Sequence, residues 1–303
     1  MMTSDNSNGN RAAPARGFVA LCAMLALGLA SMALPAAAAP FAYVTNSNDD
    51  TVSVIDTATN PPSVVATVQV GTPAPPGFGD RPLAVAVTPD GKHVYVTAAL
   101  PLVLGIVSVI DTASNTVVAT VPVGDDPQGV AVAPDGKHVY VTSQRLSVSG
   151  TVSVIDTTNT VVATVPVGNF PTGIVVTPDG KHVYVGSGDG VSVIDTATNT
   201  VAATIPVPGG AGVGAVTPDG KHVYVGSVGG VSVIATATNT VVGTPITVGI
   251  SPQGVAITPD GKHAYVVNNG SDSVSVIDTA SNTVVATVGV GKGPFGVAVT
   301  PDG

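Results

Sequence analysis

Several sets of residues in this sequence could do chemistry. His93, His138, His182, His222 and His263 could ligate a metal or move protons. Asp49-Asp50 and Asp125-Asp126 are the adjacent acid pairs, able in principle to chelate calcium or share a proton. Asp56, Asp111, Asp156, Asp195 and Asp278 each close a V-S-V-I run. Spacing argues against most of this chemistry. Each His follows P-D-G-K, so all occupy one place in a repeat, and neighbouring units should hold them too far apart to share a metal at bond lengths of about 2 Å. Phe41 fills the corresponding place in the first unit. Structural histidines and no metal site are expected. Neither acid pair sits in a D-x-D-x-D-G loop with a closing Glu, and the Asp of V-I-D-T is read as a turn cap that Ala235 replaces in one unit.

No G-x-S-x-G, H-E-x-x-H, C-x-x-C or glycine-rich phosphate loop occurs. All 19 acidic residues are Asp, and the one Cys is Cys22. Acid–base or nucleophilic chemistry would therefore fall on Asp, Ser or the structural histidines. No cofactor is implied.

The elements that must position these residues come from the repeat. P-D-G-K-H recurs with its Pro at 89, 134, 178, 218 and 259, and P-D-G returns at Pro301, giving intervals of 45, 44, 40, 41 and 42 residues. Periods of this length with several short strands signal propeller blades. Each unit reads as four strands, for example a at 129–133, b at 138–142, c at 152–156 and d at 161–167. Pro-Asp-Gly-Lys presets a tight a–b hairpin, and Asp-Thr-Ala-Thr-Asn-Thr supplies Asx and left-handed positions for the c–d hairpin. Strands c and a are apolar at most positions rather than alternating, so both sheet faces must be covered, as radial stacking provides.

Composition agrees. The chain has 303 residues, 44% apolar and only 10% charged, with 36 Gly, 25 Pro and no Trp. Disordered polyelectrolytes, collagen-like chains and disulfide scaffolds are excluded. Residues 1–39 read as a secretory signal peptide: Arg11 and Arg16, an apolar run from Phe18 to Leu34, Pro35, then small residues before a cut near Ala38 or Ala39. The mature chain would be exported to the periplasm, the medium or the cell surface, without cysteine and without a membrane anchor. Setting aside Asp5, Arg11 and Arg16 leaves 8 basic against 18 acidic residues, with lysines scattered one per repeat, so nucleic acid is not an expected partner.

Residues 40–303 supply six copies of each strand type, and Pro40-Phe41-Ala42-Tyr43 aligns with Lys-His-Val-Tyr. The expected fold is an all-β propeller of six four-stranded blades, closed by strand a at Phe295–Thr300 pairing with strand b at Phe41–Thr45. Y-V-T-N at Tyr43–Asn46, the recurring V-S-V-I-D-T and G-V-A-V-T-P-D-G resemble the YVTN-type β-propeller repeat family, which includes YncE-like exported proteins and surface-layer proteins. The resemblance spans the mature chain. It implies seven blades, where this sequence supplies strands for six.

Units differ mainly in their d–a and b–c loops, which open on one rim. Candidate binding residues there are Phe78, Asp80, Arg81, Asp125, Asp126, Gln128, Gln144, Arg145, Asn169, Phe170, Gln253 and Phe295. The longest loops belong to the first three units, which makes that side the expected binding surface. Two functions remain open. One is a non-catalytic scaffold binding a protein or glycan outside the cytoplasm. The other is a propeller enzyme similar to lactonases or quinone-dependent dehydrogenases, with Asp80, Arg81, Asp126 and Arg145 over the central channel. A monomer is expected, with exchange of near-identical blades into a swapped dimer as the alternative.

Overall fold

The computed structural model describes residues 41–71, 81–99, 105–144, 149–212, 214–300 and 303. The expected leader at 1–39 lies outside them, as do Phe78, Asp80 and Arg145. Contacts divide the chain after Ala37, and every strand belongs to the unit from Ala38 to Gly303.

Strands follow one another as antiparallel meanders. Sheet 1 holds β1 (Phe41–Asn46), β2 (Thr51–Asp56) and β3 (Ser63–Gln69). Sheet 2 holds β4 (Pro82–Val87), β5 (His93–Ala98), β6 (Ile106–Asp111) and β7 (Thr116–Pro122). Sheet 3 holds β8 (Pro127–Val132), β9 (His138–Ser143), β10 (Thr151–Asp156) and β11 (Val161–Pro166). Sheet 4 holds β12 (Ile174–Val176), β13 (His182–Ser187), β14 (Gly190–Asp195) and β15 (Thr200–Ile205). Sheet 5 holds β16 (Gly214–Val216), β17 (His222–Ser227), β18 (Gly230–Ala235) and β19 (Thr240–Ile246). Sheet 6 holds β20 (Pro252–Ile257), β21 (His263–Asn268), β22 (Ser273–Asp278) and β23 (Thr283–Gly289). These repeated sheets make the fold an all-β propeller.

The a–b turn is built by its own side chains. Thr88 Oγ1 donates to Asp90 Oδ1 at 2.6 Å and accepts from the His93 N–H at 3.0 Å, while the Lys92 N–H donates to the same carboxylate at 3.1 Å. Gly91 takes φ +69°, open to a residue without Cβ. The set returns at Thr177, Thr217 and Thr258. It is incomplete in sheet 3, where Ala133 replaces the Thr. Thus each His is fixed through its backbone at the start of a strand, which accounts for its regular spacing.

The c–d turn uses Asp and Asn. Asp111 Oδ1 accepts from the Ser114 N–H and hydroxyl, both at 2.8 Å, and Asn115 sits in the left-handed region at φ +52°. Asn159, Asn199, Asn239 and Asn282 do the same. The sequence pattern explains them as turn residues only, but the Asn carboxamide has a second task. Tyr95, Tyr184 and Tyr224 donate their hydroxyls to Asn159, Asn239 and Asn282 of the next sheet, at 3.0, 2.7 and 2.7 Å. This latch joins blades far apart in sequence. Burial pushes the Tyr184 and Tyr224 phenols up to about 12.

The core lies between sheets rather than within any one. Val107, Val109, Val121 and Val123 of sheet 2 and its following loop pack on Val139, Val141 and Ile155 of sheet 3. Equivalent clusters fill the seams between sheets 1 and 2, 3 and 4, 4 and 5, and 5 and 6. Small β-branched side chains suit this arrangement because one packing solution is repeated at each seam.

The expected closure is not made. Residues 295–300 form no strand, and sheet 1 contains β1, β2 and β3 alone. The segment is instead seated on sheet 6, where the Gly254 N–H donates to the Phe295 carbonyl at 3.2 Å and Asn269 Nδ2 to the Pro294 carbonyl at 3.0 Å. Among the described residues, the expected partner strand β1 pairs only with β2.

Candidate functional site

The rim carrying the d–a and b–c loops is shaped by left-handed residues that precede prolines. Arg81, Asp126, Phe170 and Ser251 have φ of +36°, +47°, +52° and +54°, each immediately before Pro82, Pro127, Pro171 or Pro252. A non-glycine residue there carries strain of about 1 kcal/mol or more. Neighbouring bonds hold these positions in place: the Arg81 N–H donates to Asp50 Oδ1 at 3.1 Å, and the Gln144 N–H donates to the Asp126 carbonyl at 3.1 Å. The repeated X-Pro step was the sequence signal for these positions, but nothing in it fixes the sign of φ.

The described candidate residues fall into two groups. Arg81, Asp125, Asp126, Gln128 and Gln144 belong to the loops of sheets 1 to 3. Loss of surrounding water raises the Asp126 carboxyl above its ordinary value, outweighing the opposing Gln128 side-chain hydrogen bond and, after it, the Arg81 charge. Gln128 Nε2 reaches the Asp126 carbonyl at 3.3 Å, and Gln144 Nε2 reaches the Pro171 carbonyl at 3.4 Å. Those amides tie loops together. The Asn169 backbone is held as well, its N–H donating to Asp189 Oδ2 at 2.8 Å.

Phe170 and Gln253 belong to the second group, around a hollow of about 600 Å³ over sheets 4 to 6. This hollow lies beside the units whose b–c loops are shortest, away from the side that loop length had singled out. Short Ser187–Gly190 and Ser227–Gly230 loops leave the space open, and the floor is largely glycine backbone. At Gly209, with φ +83°, an added Cβ would come within 2.8 Å of the Val228 Cβ. The walls are apolar and face solvent: Phe170 is 54%, Ile250 68% and Val228 85% exposed. Ser187 and Ser227 spend their hydroxyls on the Gly190 and Gly230 carbonyls. Among the described residues, no Asp, His, Lys or Arg lines the hollow. Its described lining can hold an apolar or flat group against backbone amides. Phe295, 71% exposed, stands on the segment seated against sheet 6 rather than on this wall.

A smaller hollow of about 280 Å³ lies on the opposite rim, lined by Asp90, His93, Tyr95, Asp135 and Asn159 among others. Two of its polar groups are already engaged. Thr88 and Lys92 occupy Asp90, whose pKa is held below the ordinary carboxylate range by the Thr88 hydroxyl and then the Lys92 amide, and Tyr95 is latched to Asn159. Among the described residues, no three His, Cys or Asp side chains gather to hold a metal ion.

Comparisons place these features in the wider set of known proteins. Residues 34–160 match the family model described as "Lactonase, 7-bladed beta-propeller". Among solved structures, the chain is similar to hydrazine synthase of Kuenenia stuttgartiensis, with 25% identity, a TM-score of 0.74, and 87% of each chain covered. It is also similar to a functionally unknown protein from Desulfotomaculum acetoxidans, with 22% identity, a TM-score of 0.64, and 84% of each chain covered; that likeness carries the fold alone. No curated protein matches. The family model and these neighbours support a β-propeller family.

Proposed function

We propose that this chain is a non-catalytic β-propeller of the YVTN-like type, exported from the cytoplasm, that binds a protein or a glycan through the rim of its d–a and b–c loops. One observation carries the reading: the hollow walled by Phe170, Val228 and Ile250 exposes apolar side chains around a glycine floor, with no titratable group among the described residues that line it. Exposed apolar clusters of this kind mark docking sites, and full burial of each such side chain contributes about 1.5–3 kcal/mol. The rigid sheets beneath hold the loops in place, which limits the ordering cost of binding.

The test compares the wild-type protein with a variant carrying Phe170→Gly, Val228→Ser and Ile250→Ser, on glycan arrays and in capture from the exported fraction. Glycine suits φ +52° at position 170, and the other two side chains are mostly exposed, so the variant should fold. A partner retained at least tenfold less by the variant supports the reading. Equal retention overturns it.

A second reading, lactone hydrolysis, draws on the family match over residues 34–160, which includes Arg81 and the upward-shifted Asp126. Turnover of simple lactones that Asp126→Asn abolishes, and that the triple variant keeps, would favour it over the binding reading.

A further inference from the structure

We infer that the hollow over sheets 4 to 6 takes an extended, apolar segment of a partner protein with basic residues on its flanks, docked on the hairpin tip Val228-Gly229. The inference rests on the docking reading above and names its partner class. A bond missing from one sheet carries it. After the second strand of sheets 3, 4 and 6, the next residue gives its N–H to the loop that leads into the same sheet: Gln144 to the Asp126 carbonyl at 3.1 Å, Gly188 to Asn169 at 2.7 Å and Asn269 to Ser251 at 3.1 Å. In sheet 5 that residue is Val228, and neither its N–H nor that of Gly229 bonds to any described residue. The facing loop reads Pro-Gly-Gly-Ala-Gly over residues 208–212, and Gly209 lies against the tip without a bond, since a Cβ added to it would fall 2.8 Å from the Val228 Cβ. The valine beside that open N–H is also 85% exposed, more than any other large apolar side chain described.

A free donor next to an apolar side chain, at the border of an apolar hollow, calls for a ligand that brings a carbonyl and an apolar side chain together at the same spacing. An extended peptide does so along its length: main-chain bonds hold it, and alternate side chains enter the pocket. Those side chains would lie between Phe170 and Ile250, over the glycine floor. A glycan fits less well. Its hydroxyls need partners once water is excluded, and the described lining offers them one carboxamide, Gln253, and no carboxylate or guanidinium. Charge sets the flanks. Asp189 and Asp272 stand on the corresponding loops of sheets 4 and 6, the sheets on either side of the tip, and neither forms an ion pair among the described residues. Each accepts one backbone N–H, Asp189 from Asn169 and Asp272 from Gly293, both at 2.8 Å, which holds the carboxylate in place on its loop. Lysine or arginine at the ends of the segment would meet them.

The probe is a displayed library of random heptapeptides, selected on the full chain as recovered from an exporting host. Selections run in parallel on wild type, on Val228→Pro, which removes the N–H and keeps an apolar side chain, and on the pair Asp189→Asn with Asp272→Asn, which keeps both accepted bonds and loses both charges. Val228 lies outside the left-handed region and its N–H makes no internal bond, and Asn suits the φ of +49° at position 272, so both variants should fold, which circular dichroism checks. Wild type should enrich peptides with apolar residues between Lys or Arg. Remade synthetically, these should bind about tenfold more weakly to Val228→Pro and, at low salt, about threefold more weakly to the Asp→Asn pair. No enrichment over the Val228→Pro background overturns the inference, as do enriched peptides without an apolar stretch or binding left unchanged by either set of substitutions. A glycan that the Phe170, Val228 and Ile250 variant loses, with no peptide enriched, overturns this inference and leaves the docking reading standing. Equal retention of every partner by that variant removes the docking reading itself.

Discussion

Val121 and Val288 occupy the same place in near-identical strands, T-V-V-A-T-V-P and T-V-V-A-T-V-G, yet one is 2% and the other 52% exposed. The difference lies in the neighbour. At the interior seams a valine is buried by the next sheet, whereas at the outer faces of sheets 1 and 6 the same residue meets solvent. In a repeat protein the stabilising unit is therefore the seam, and a blade contributes what its neighbours allow it to bury.

The comparison breaks most readily at isoleucine. Ile155 is fully buried between sheets 3 and 2, while Ile55, at the same place in sheet 1, is half buried. Ile155→Ala removes buried methyl groups and leaves a cavity, so chemical denaturation should show a loss of about 2–5 kcal/mol. Ile55→Ala should cost less than half as much. Equal costs would mean that the face of sheet 1 is covered in solution.

The latch offers a finer comparison. Tyr184→Phe leaves the Asn239 carboxamide oxygen without its donor at a closed seam, an expected loss of about 1–3 kcal/mol. The Tyr265 hydroxyl has no bond among the described residues, so Tyr265→Phe should change stability by less than about 0.5 kcal/mol. Latching is not uniform even inside the molecule, since the buried Asn115 and Asn199 carboxamide oxygens also lack a donor. Tyr184 and Tyr224 add an alkaline signature. Their pKa values rise on folding from about 10 to about 12, so the stability they contribute is complete below pH 10 and fades as pH climbs through 12.

Much of the architecture could be read from residue order. The Pro-Asp-Gly-Lys turns fall at the predicted hairpins, His93 and its counterparts open their strands, and V-S-V-I-D, or V-S-V-I-A in sheet 5, forms the strand after each of them. These are local signals, set by turn chemistry and side-chain period. The Tyr–Asn latch escaped because its partners are 55 to 64 residues apart and each has a sufficient local explanation, strand for Tyr and left-handed turn for Asn. The expected pairing of 295–300 with β1 is not formed among the described residues, a long-range outcome that a count of strands does not decide. At the rim, loop length pointed to units one to three, whereas the apolar hollow forms where loops are short, because a cavity depends on what is missing. Phe170 and Gln253 were legible as loop residues; Val228 and Ile250 were not, since a lone valine or isoleucine beside glycine looks like ordinary strand-end sequence.

The last contrast concerns what should not depend on a neighbour. Thr177 lies inside the molecule in sheet 4 and Thr258 in sheet 6 at its open end, yet both hydroxyls donate to an Asp at 2.7 and 2.6 Å and accept from a His N–H at 3.1 Å. These bonds close within one hairpin, so Thr177→Val and Thr258→Val should each cost about 1 kcal/mol in denaturation experiments, with no discount for the open end. The carboxylates supply a second readout. The Thr hydroxyl and then the Lys amide hold Asp179 below the ordinary range, and Asp260 lies at about 2 for the same reasons. A depressed pKa in the folded state means that the contribution is complete above about pH 4, where the unfolded carboxyl is ionised, and is lost as pH falls toward 2. Each Thr→Val variant should therefore lose less stability than wild type between pH 4 and pH 2. Unequal costs at the two positions would show that turn strength, like seam burial, depends on the adjacent sheet.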